Sequence, residues 1–188
     1  MARKIILYMS VSLDGYMEGP DRSIDWHTVD AELHRHFNEE LAAAGGFIDG
    51  RVTYELMQDF WPTADKDPAS TPEMVEFAEI WRTKPKIVYS TTLEHADGDT
   101  TIVRSVDPDE VRALKEEPGG DLALGGADLA AAFAEHDLID GYHLCVHPVL
   151  LGRGKPLFPG TDTPTSLRLV GTRTFGTGVV LLRYERDR

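Results

Sequence analysis

Short apolar runs alternate with helical patterns along most of this chain, and that alternation restricts its fold more than any other feature. Runs such as IILYM (5–9) and KIVYS (86–90) are typical of strands buried on both faces of a sheet. Between such runs, apolar residues recur at helical spacing, as at Leu33, Phe37 and Leu41. After residue 140, strand patterns follow one another with turns and no helix between them. The sequence therefore predicts an α/β fold with a mixed sheet.

Capping residues mark where the helices begin. Thr71-Pro72 pairs an N-cap with a first-turn proline, and Asp107-Pro108, with glutamate three residues after the aspartate, has the capping-box spacing. The first helix is expected to begin near Thr28 or Asp30 and to end at Gly45-Gly46. These signals predict helices that start at defined residues.

Length and charge limit the classes of function. A chain of 188 residues is expected to form one domain, residues 1–188, with a sizeable core. The net charge of −13 argues against binding to nucleic acid or to an anionic membrane. An anionic small molecule needs only a few donors gathered at one site. The chain has neither an apolar run of roughly 18 residues nor a signal-peptide core, so we expect a cytoplasmic protein.

Cysteine and histidine give no sign of a metal centre. Cys145 is the only cysteine and lies in an apolar run, where a thiol usually fills the core. His34 and His36 are two apart on a predicted helix and do not share a face. His143 and His147 are four apart on a predicted strand, without a carboxylate motif. We therefore predict no metal site.

Two junctions between a strand and a helix are candidates for an anion site. They are IDGRVTYE (48–55) and LALGGADLAA (122–131). Glycine lets the backbone approach a phosphate, and the free N–H groups and dipole of a helix N-terminus favour negative charge. Arg51 is suited to a charge-assisted contact with phosphate. Neither junction has a standard nucleotide fingerprint, so an ordinary turn with a surface arginine stays open as the alternative.

The order of motifs resembles a known superfamily. SLDGYMEG (12–19), GRVTYE (50–55), KIVYSTT (86–92), LALGGADLAAAF (122–133) and DGYHLCVHPVLLGRGKPLFP (140–159) follow one another along nearly the whole chain. This set resembles the dihydrofolate reductase superfamily, and within it the C-terminal reductase domain of bacterial riboflavin-biosynthesis proteins. The resemblance implies a three-layer fold: a mostly parallel central sheet with an antiparallel C-terminal strand, and helices on both faces.

The resemblance also implies NADPH as cofactor, bound across the strand ends. The residues implied to bind NADPH fall into four groups along the chain. The resemblance implies that Gly50, Arg51 and Thr53 hold the pyrophosphate and the adenosine-side phosphate, and that Ser90 and Thr91 meet the 2′-phosphate or the adenine ribose. It implies that Gly125, Gly126, Ala127 and Asp128 lie under the pyrophosphate. It also implies backbone contacts to the nicotinamide from Val11 and Gly15 in a closing loop. Members of the superfamily carry a cis peptide in the glycine pair, so we expect Gly125–Gly126 to be cis.

The substrate is less defined by these motifs. Dihydrofolate reductases use an acidic residue after a loop tryptophan, and here Trp26 is followed by Asp30, with Glu32 as second choice. Asp30 is equally suited to capping the helix that follows. Arg153 and Lys155 in GRGKPLF either steer a phosphorylated substrate or lie in a solvated loop.

The implied reaction is hydride transfer from NADPH to a small heterocycle, as in reduction of the ribosylamino-pyrimidine phosphate of riboflavin synthesis. Reduction of dihydrofolate or another pterin is the enzymatic alternative. A module that binds NADPH without turnover is the alternative of another class. The expected partners are a small-molecule substrate and a second copy of the chain in a homodimer.

Overall fold

The structure, a computed structural model, describes residues 2–160 and 164–187. Strands and helices alternate in it. The strands are β1 (Ile5–Ser12), β2 (Tyr16–Glu18), β3 (Gly46–Gly50), β4 (Lys86–Tyr89), β5 (Thr100–Val103), β6 (Leu122–Gly125), β7 (Gly141–His147), β8 (Lys155–Pro156), β9 (Leu167–Thr174) and β10 (Val180–Arg186). The α-helices are α1 (Ala31–Ala43), α2 (Arg51–Phe60), α3 (Pro72–Thr83), α4 (Pro108–Glu116) and α5 (Ala127–Glu135).

Eight of these strands form one sheet in the order β5-β4-β3-β6-β1-β7-β10-β9. The neighbours from β5 to β7 run parallel, whereas β10 runs antiparallel to both β7 and β9. The predicted mixed sheet with an antiparallel C-terminal end is confirmed.

Helices cover both faces of the sheet. On one face, Val111 of α4 and Phe133 of α5 belong to the same buried core cluster as Leu7 of β1. On the other face, Trp81 of α3 packs with residues of β3 and β4, and Leu33 of α1 packs with residues of β7 and β10. This gives three layers, with apolar side chains buried on each side of the sheet.

The predicted helix starts agree with the structure. The hydroxyl of Thr71 accepts a hydrogen bond from Met74 N, and the carboxylate of Asp107 accepts from the first turn of α4. Asp30, rather than Thr28, caps α1: its Oδ1 accepts from Leu33 N at 2.9 Å. Each cap satisfies a backbone donor that the helix itself leaves free.

The long segment before α1 is more regular than a loop. β1 continues to Ser12, and Tyr16–Glu18 forms β2, which pairs with β8. The Ser12 hydroxyl accepts from Tyr16 N at 2.9 Å and so closes the turn between the two strands. A role as a closing lid stays a prediction.

Cys145 lies in the core, as predicted. It is 2% exposed, and burial raises the pKa of its thiol to about 12. Within residues 2–160 and 164–187, no helix combines the length and the apolar character that crossing a membrane requires.

Candidate functional site

The order of strands brings together the two predicted strand-to-helix junctions, at which α2 and α5 begin. β3 and β6 are neighbours, and Asp49 pairs in register with Gly125. α2 begins directly after Gly50, and α5 begins directly after Gly126. Because parallel strands end at the same edge, the N-termini of both helices point into one space.

That space is a cleft of about 470 Å³. Most of the residues predicted to bind NADPH line it: Gly50, Arg51, Thr53, Ser90, Thr91, Gly126, Ala127 and Asp128. Gly125 lies at the end of β6, next to this group. On the β4–β5 side the wall continues with Thr92 and Ser105, and on the opposite side with Met17 of β2 and Lys155 of β8.

The cleft gathers positive charge in an acidic chain. Among its lining residues the basic ones are Arg22, Arg51, Arg104 and Lys155, against the acidic Glu18 and Asp128. Lys155 binds Asp128 at 2.5 Å, while Arg51 pairs with Glu55 at 2.7 Å in an exposed contact. Exposed pairs of this kind contribute little and are easily exchanged. The guanidinium of Arg51 can therefore turn to an anionic ligand at little energetic cost.

Arg104 was not predicted from the sequence. Its guanidinium donates to the carbonyls of Ser90 at 3.0 Å and Leu93 at 2.6 Å, which fixes it against the chain that follows β4. The Ser90 hydroxyl accepts from Thr92 N and Leu93 N, which orders the same turn. Its position in the sequence could have indicated this role. Arg104 directly follows β5, just as Ser90 directly follows β4, and the ends of neighbouring parallel strands lie close together.

The Gly125–Gly126 peptide is trans, and the expectation of a cis bond was wrong. No peptide bond is cis in the described part of the chain. The chain turns instead at Gly126, which has a φ of +92°. A Cβ atom there would lie 2.8 Å from the hydroxyl oxygen of Thr53, so the conformation and the space both favour glycine.

We expect Gly126→Ala to destabilise the protein by about 1 kcal/mol, because alanine disfavours a positive φ. The same change should weaken binding of a dinucleotide several-fold by displacing Thr53. Urea unfolding and NADPH titration measure the two effects. Gly98→Ala is the matched control, since its φ is +67° and its added methyl group would meet nothing within 4 Å. Equal affinities of the two variants would argue against contact between this turn and the ligand.

Asp49, also missed by the sequence analysis, is buried beside this turn. The residue is 5% exposed, and its Oδ2 has no hydrogen-bond partner among the described residues. Burial raises the pKa of its carboxyl group from 3.8 to about 7, although the charge of Lys86 acts in the opposite direction. An ionised carboxylate is unfavourable in such a place.

The residues predicted to contact the nicotinamide are not part of the cleft wall among the described residues. Val11 is 5% exposed, and its side chain packs in the core beside α5. Gly15 forms the turn between β1 and β2, with a φ of +86°, and its carbonyl accepts from Leu157 N at 3.0 Å. Backbone contact of Val11 and Gly15 with the nicotinamide stays a prediction.

The predicted substrate residues also lie outside the described cleft wall. Trp26 donates from its ring nitrogen to Ser23 O at 3.2 Å, and its ring meets His27 and His147 edge-on. Asp30 caps α1. The second choice, Glu32, binds Arg173 at 3.0 Å. A catalytic role for Trp26 or Asp30 stays a prediction.

Comparison with known proteins connects this geometry to a family. The sequence profile of the RibD C-terminal domain matches residues 3–181. The uncharacterized protein YyaP of Bacillus subtilis (strain 168) is 35% identical over 184 residues, which cover 97% of this chain and 95% of YyaP.

Solved structures share the fold. A candidate riboflavin biosynthesis protein of Shewanella sp. PV-4 has a TM-score of 0.76 at 23% identity, with 100% of both chains covered. The Thermotoga maritima diaminohydroxyphosphoribosylaminopyrimidine deaminase/5-amino-6-(5-phosphoribosylamino)uracil reductase has a TM-score of 0.68 at 16% identity, over 99% of this chain and 57% of that one. Dihydrofolate reductase of Enterococcus faecalis, complexed with NADP(H) and RAB-propyl, has a TM-score of 0.65 at 14% identity over 100% of both chains.

At these identities, the solved structures establish the fold, which is that of dihydrofolate reductase. The family rests on the sequence profile and on the likeness to YyaP, both of which extend over nearly all of the chain. The chain therefore belongs to the RibD C-terminal domain family.

Proposed function

We propose that this protein is an NADPH-dependent reductase of a small heterocyclic substrate of the pyrimidine type. The observation that carries the proposal is the cleft in which α2 and α5 begin side by side, with Arg51 at one mouth. Two helix N-termini and a guanidinium held only by an exposed ion pair suit the two phosphates of a dinucleotide. The family and the fold of its solved relatives point the same way.

The residues present fit this cofactor. Gly50 and Gly126 leave the backbone open to a pyrophosphate, and a side chain at Gly126 would collide with Thr53. Beyond β4 and β5, hydroxyl groups and Arg104 would meet the ribose and its 2′-phosphate. When bound, NADPH supplies a hydride, while the chain itself binds and orients the cofactor and excludes water.

An assay of NADPH oxidation tests this function. The substrates are 5-amino-6-(5-phosphoribosylamino)uracil and dihydrofolate, each compared with a reaction without substrate. Turnover of the pyrimidine supports the proposal. Turnover of dihydrofolate alone would favour a pterin reductase, and binding of NADPH without turnover of either would favour a non-catalytic module.

The position of Lys155 favours a substrate that carries a phosphate group. Lys155 of β8 lines the cleft, and its partner Asp128 is 83% exposed at the side chain. That pair can open to admit a phosphate at little energetic cost. Lys155→Ala should therefore raise KM for the phosphorylated pyrimidine more than for its dephosphorylated form. An equal effect on both forms would argue that Lys155 does not meet the phosphate.

A further inference from the structure

Asp49 is an ionisable group that the proposed hydride transfer does not use. It stands one residue before Gly50 at the end of β3, and only 5% of its surface is exposed. Its Oδ2 atom has no hydrogen-bond partner in residues 2–160 and 164–187. A buried carboxyl group with an unpartnered oxygen is destabilising when it is charged.

The carboxyl group lies directly behind the turn that forms the cleft wall. A Cβ atom on Gly125 would be 2.5 Å from Asp49 Oδ1 and 3.4 Å from the methyl group of Thr53. Thr53 and Gly126 both line the cleft. Asp49 is therefore separated from the cleft only by the residues at which α2 and α5 begin.

Few charged groups offset the carboxylate. On β4, Lys86 attracts it, but the Lys86 ammonium donates to the carbonyls of Trp81 and Lys84. β6 carries no ionisable side chain. In the first turns of the two helices the charged groups are already paired. Arg51 of α2 pairs with Glu55, and Asp128 of α5 pairs with Lys155.

We propose that Asp49 couples dinucleotide binding to the uptake of one proton, so that the cleft binds its anionic ligand tightly when Asp49 is neutral and weakly when it is ionised. This inference rests on the proposed function, since it takes the pyrophosphate to lie at the mouths of α2 and α5. Negative charge on the pyrophosphate and on Asp49 would repel across a short, poorly solvated distance. The proton comes from solvent, and it stays on the carboxyl group of the complex at any pH below the pKa that Asp49 has in the complex.

The sign of the effect follows from linkage. In the free protein, burial already holds the Asp49 carboxyl at a pKa of about 7. A bound pyrophosphate raises that pKa further, because it disfavours the charged form. The contribution of Asp49 to ligand affinity is therefore constant below about pH 6, and it weakens binding as pH rises through 7, until the pKa of the complex is passed.

The test is the dissociation constant of NADPH between pH 6 and pH 9, for the wild type and for Asp49→Asn. The 2′-phosphate of NADPH titrates alike in both experiments, so the ratio of the two dissociation constants isolates Asp49. We expect the wild-type constant to rise about five- to tenfold relative to that of Asp49→Asn over this range, as an added like charge near a partly buried site would produce. Asp49→Ser, also neutral, should repeat the result if the amide alters the fold.

Asp128→Asn is the matched control, because it removes a carboxylate from the same cleft at an exposed, ion-paired position. It should keep the wild-type pH response. A constant ratio for both neutral Asp49 variants would overturn this inference alone. Absence of NADPH binding by every protein at every pH would overturn the proposed function, and this inference with it.

Discussion

Arg51→Ala is expected to weaken NADPH binding about 10- to 150-fold. Arg51 stands at the first position of α2, in the wall of the cleft. Among residues 2–160 and 164–187, its guanidinium pairs only with Glu55, four residues along the same exposed helix face. A hydrogen bond to a charged group contributes about 1.5–3 kcal/mol, which corresponds to this loss of affinity. Titration of the purified variant with NADPH measures it.

Two control variants separate the phosphate contact from general changes in charge. Glu55→Ala removes the partner of Arg51 but leaves the guanidinium free, so affinity should stay equal or rise slightly. Arg112→Ala removes an exposed arginine that pairs with Asp109 on α4, away from the cleft. Equal affinity of Arg51→Ala and the wild type would show that Arg51 faces solvent and that the α2 mouth is an ordinary helix start.

Asp49→Asn is expected to stabilise the free protein by about 2–4 kcal/mol at pH 8.5. A pKa raised from 3.8 to about 7 means that, between these pH values, the folded state holds a proton which the unfolded state has lost. Above pH 7 the folded protein must bury the charged carboxylate. Asp49 thus contributes its full stability below about pH 4, and the contribution declines as pH rises to 7. Ionisation of Asp49 in the folded state therefore costs about 4 kcal/mol in total. Asp49→Asn removes this cost, but burying an unpaired amide offsets part of the gain.

Urea unfolding of both proteins at pH 4 and pH 8.5 checks this expectation. At pH 4 the two should be nearly equal in stability, because Asp49 is then neutral in the folded wild type. Asp109→Asn is the control, since that carboxylate is 92% exposed at the side chain. A variant no more stable than the wild type at pH 8.5 would mean that Asp49 is better solvated than its burial indicates.

Sequence reasoning located features that depend on a few neighbouring residues. The caps at Thr71 and Asp107 follow from a hydroxyl or carboxylate placed two or three residues before free backbone N–H groups, and the structure shows both. Strand identity followed in the same way from apolar runs. That α2 and α5 begin side by side was implied only by the resemblance, because local pattern does not determine which strands are neighbours.

The missed or mistaken residues depend on contacts distant in sequence. Arg104 belongs to the cleft because β4 and β5 pair, which places it against Ser90. Asp49 is the next-to-last residue of β3, near a strand end where a carboxylate is usually solvated, and its burial arises from the elements packed around it. The peptide of Gly125–Gly126 was assigned from resemblance, whereas here the chain reverses at the positive φ of Gly126 with a trans bond.

The most direct test of the account is a calorimetric titration of the wild-type protein with NADPH at pH 6.5. We predict saturable binding of one NADPH per chain, weakened by Arg51→Ala and unchanged by Arg112→Ala. The absence of saturable binding up to about 1 mM NADPH, which is equivalent to a binding free energy weaker than about −4 kcal/mol, would contradict it.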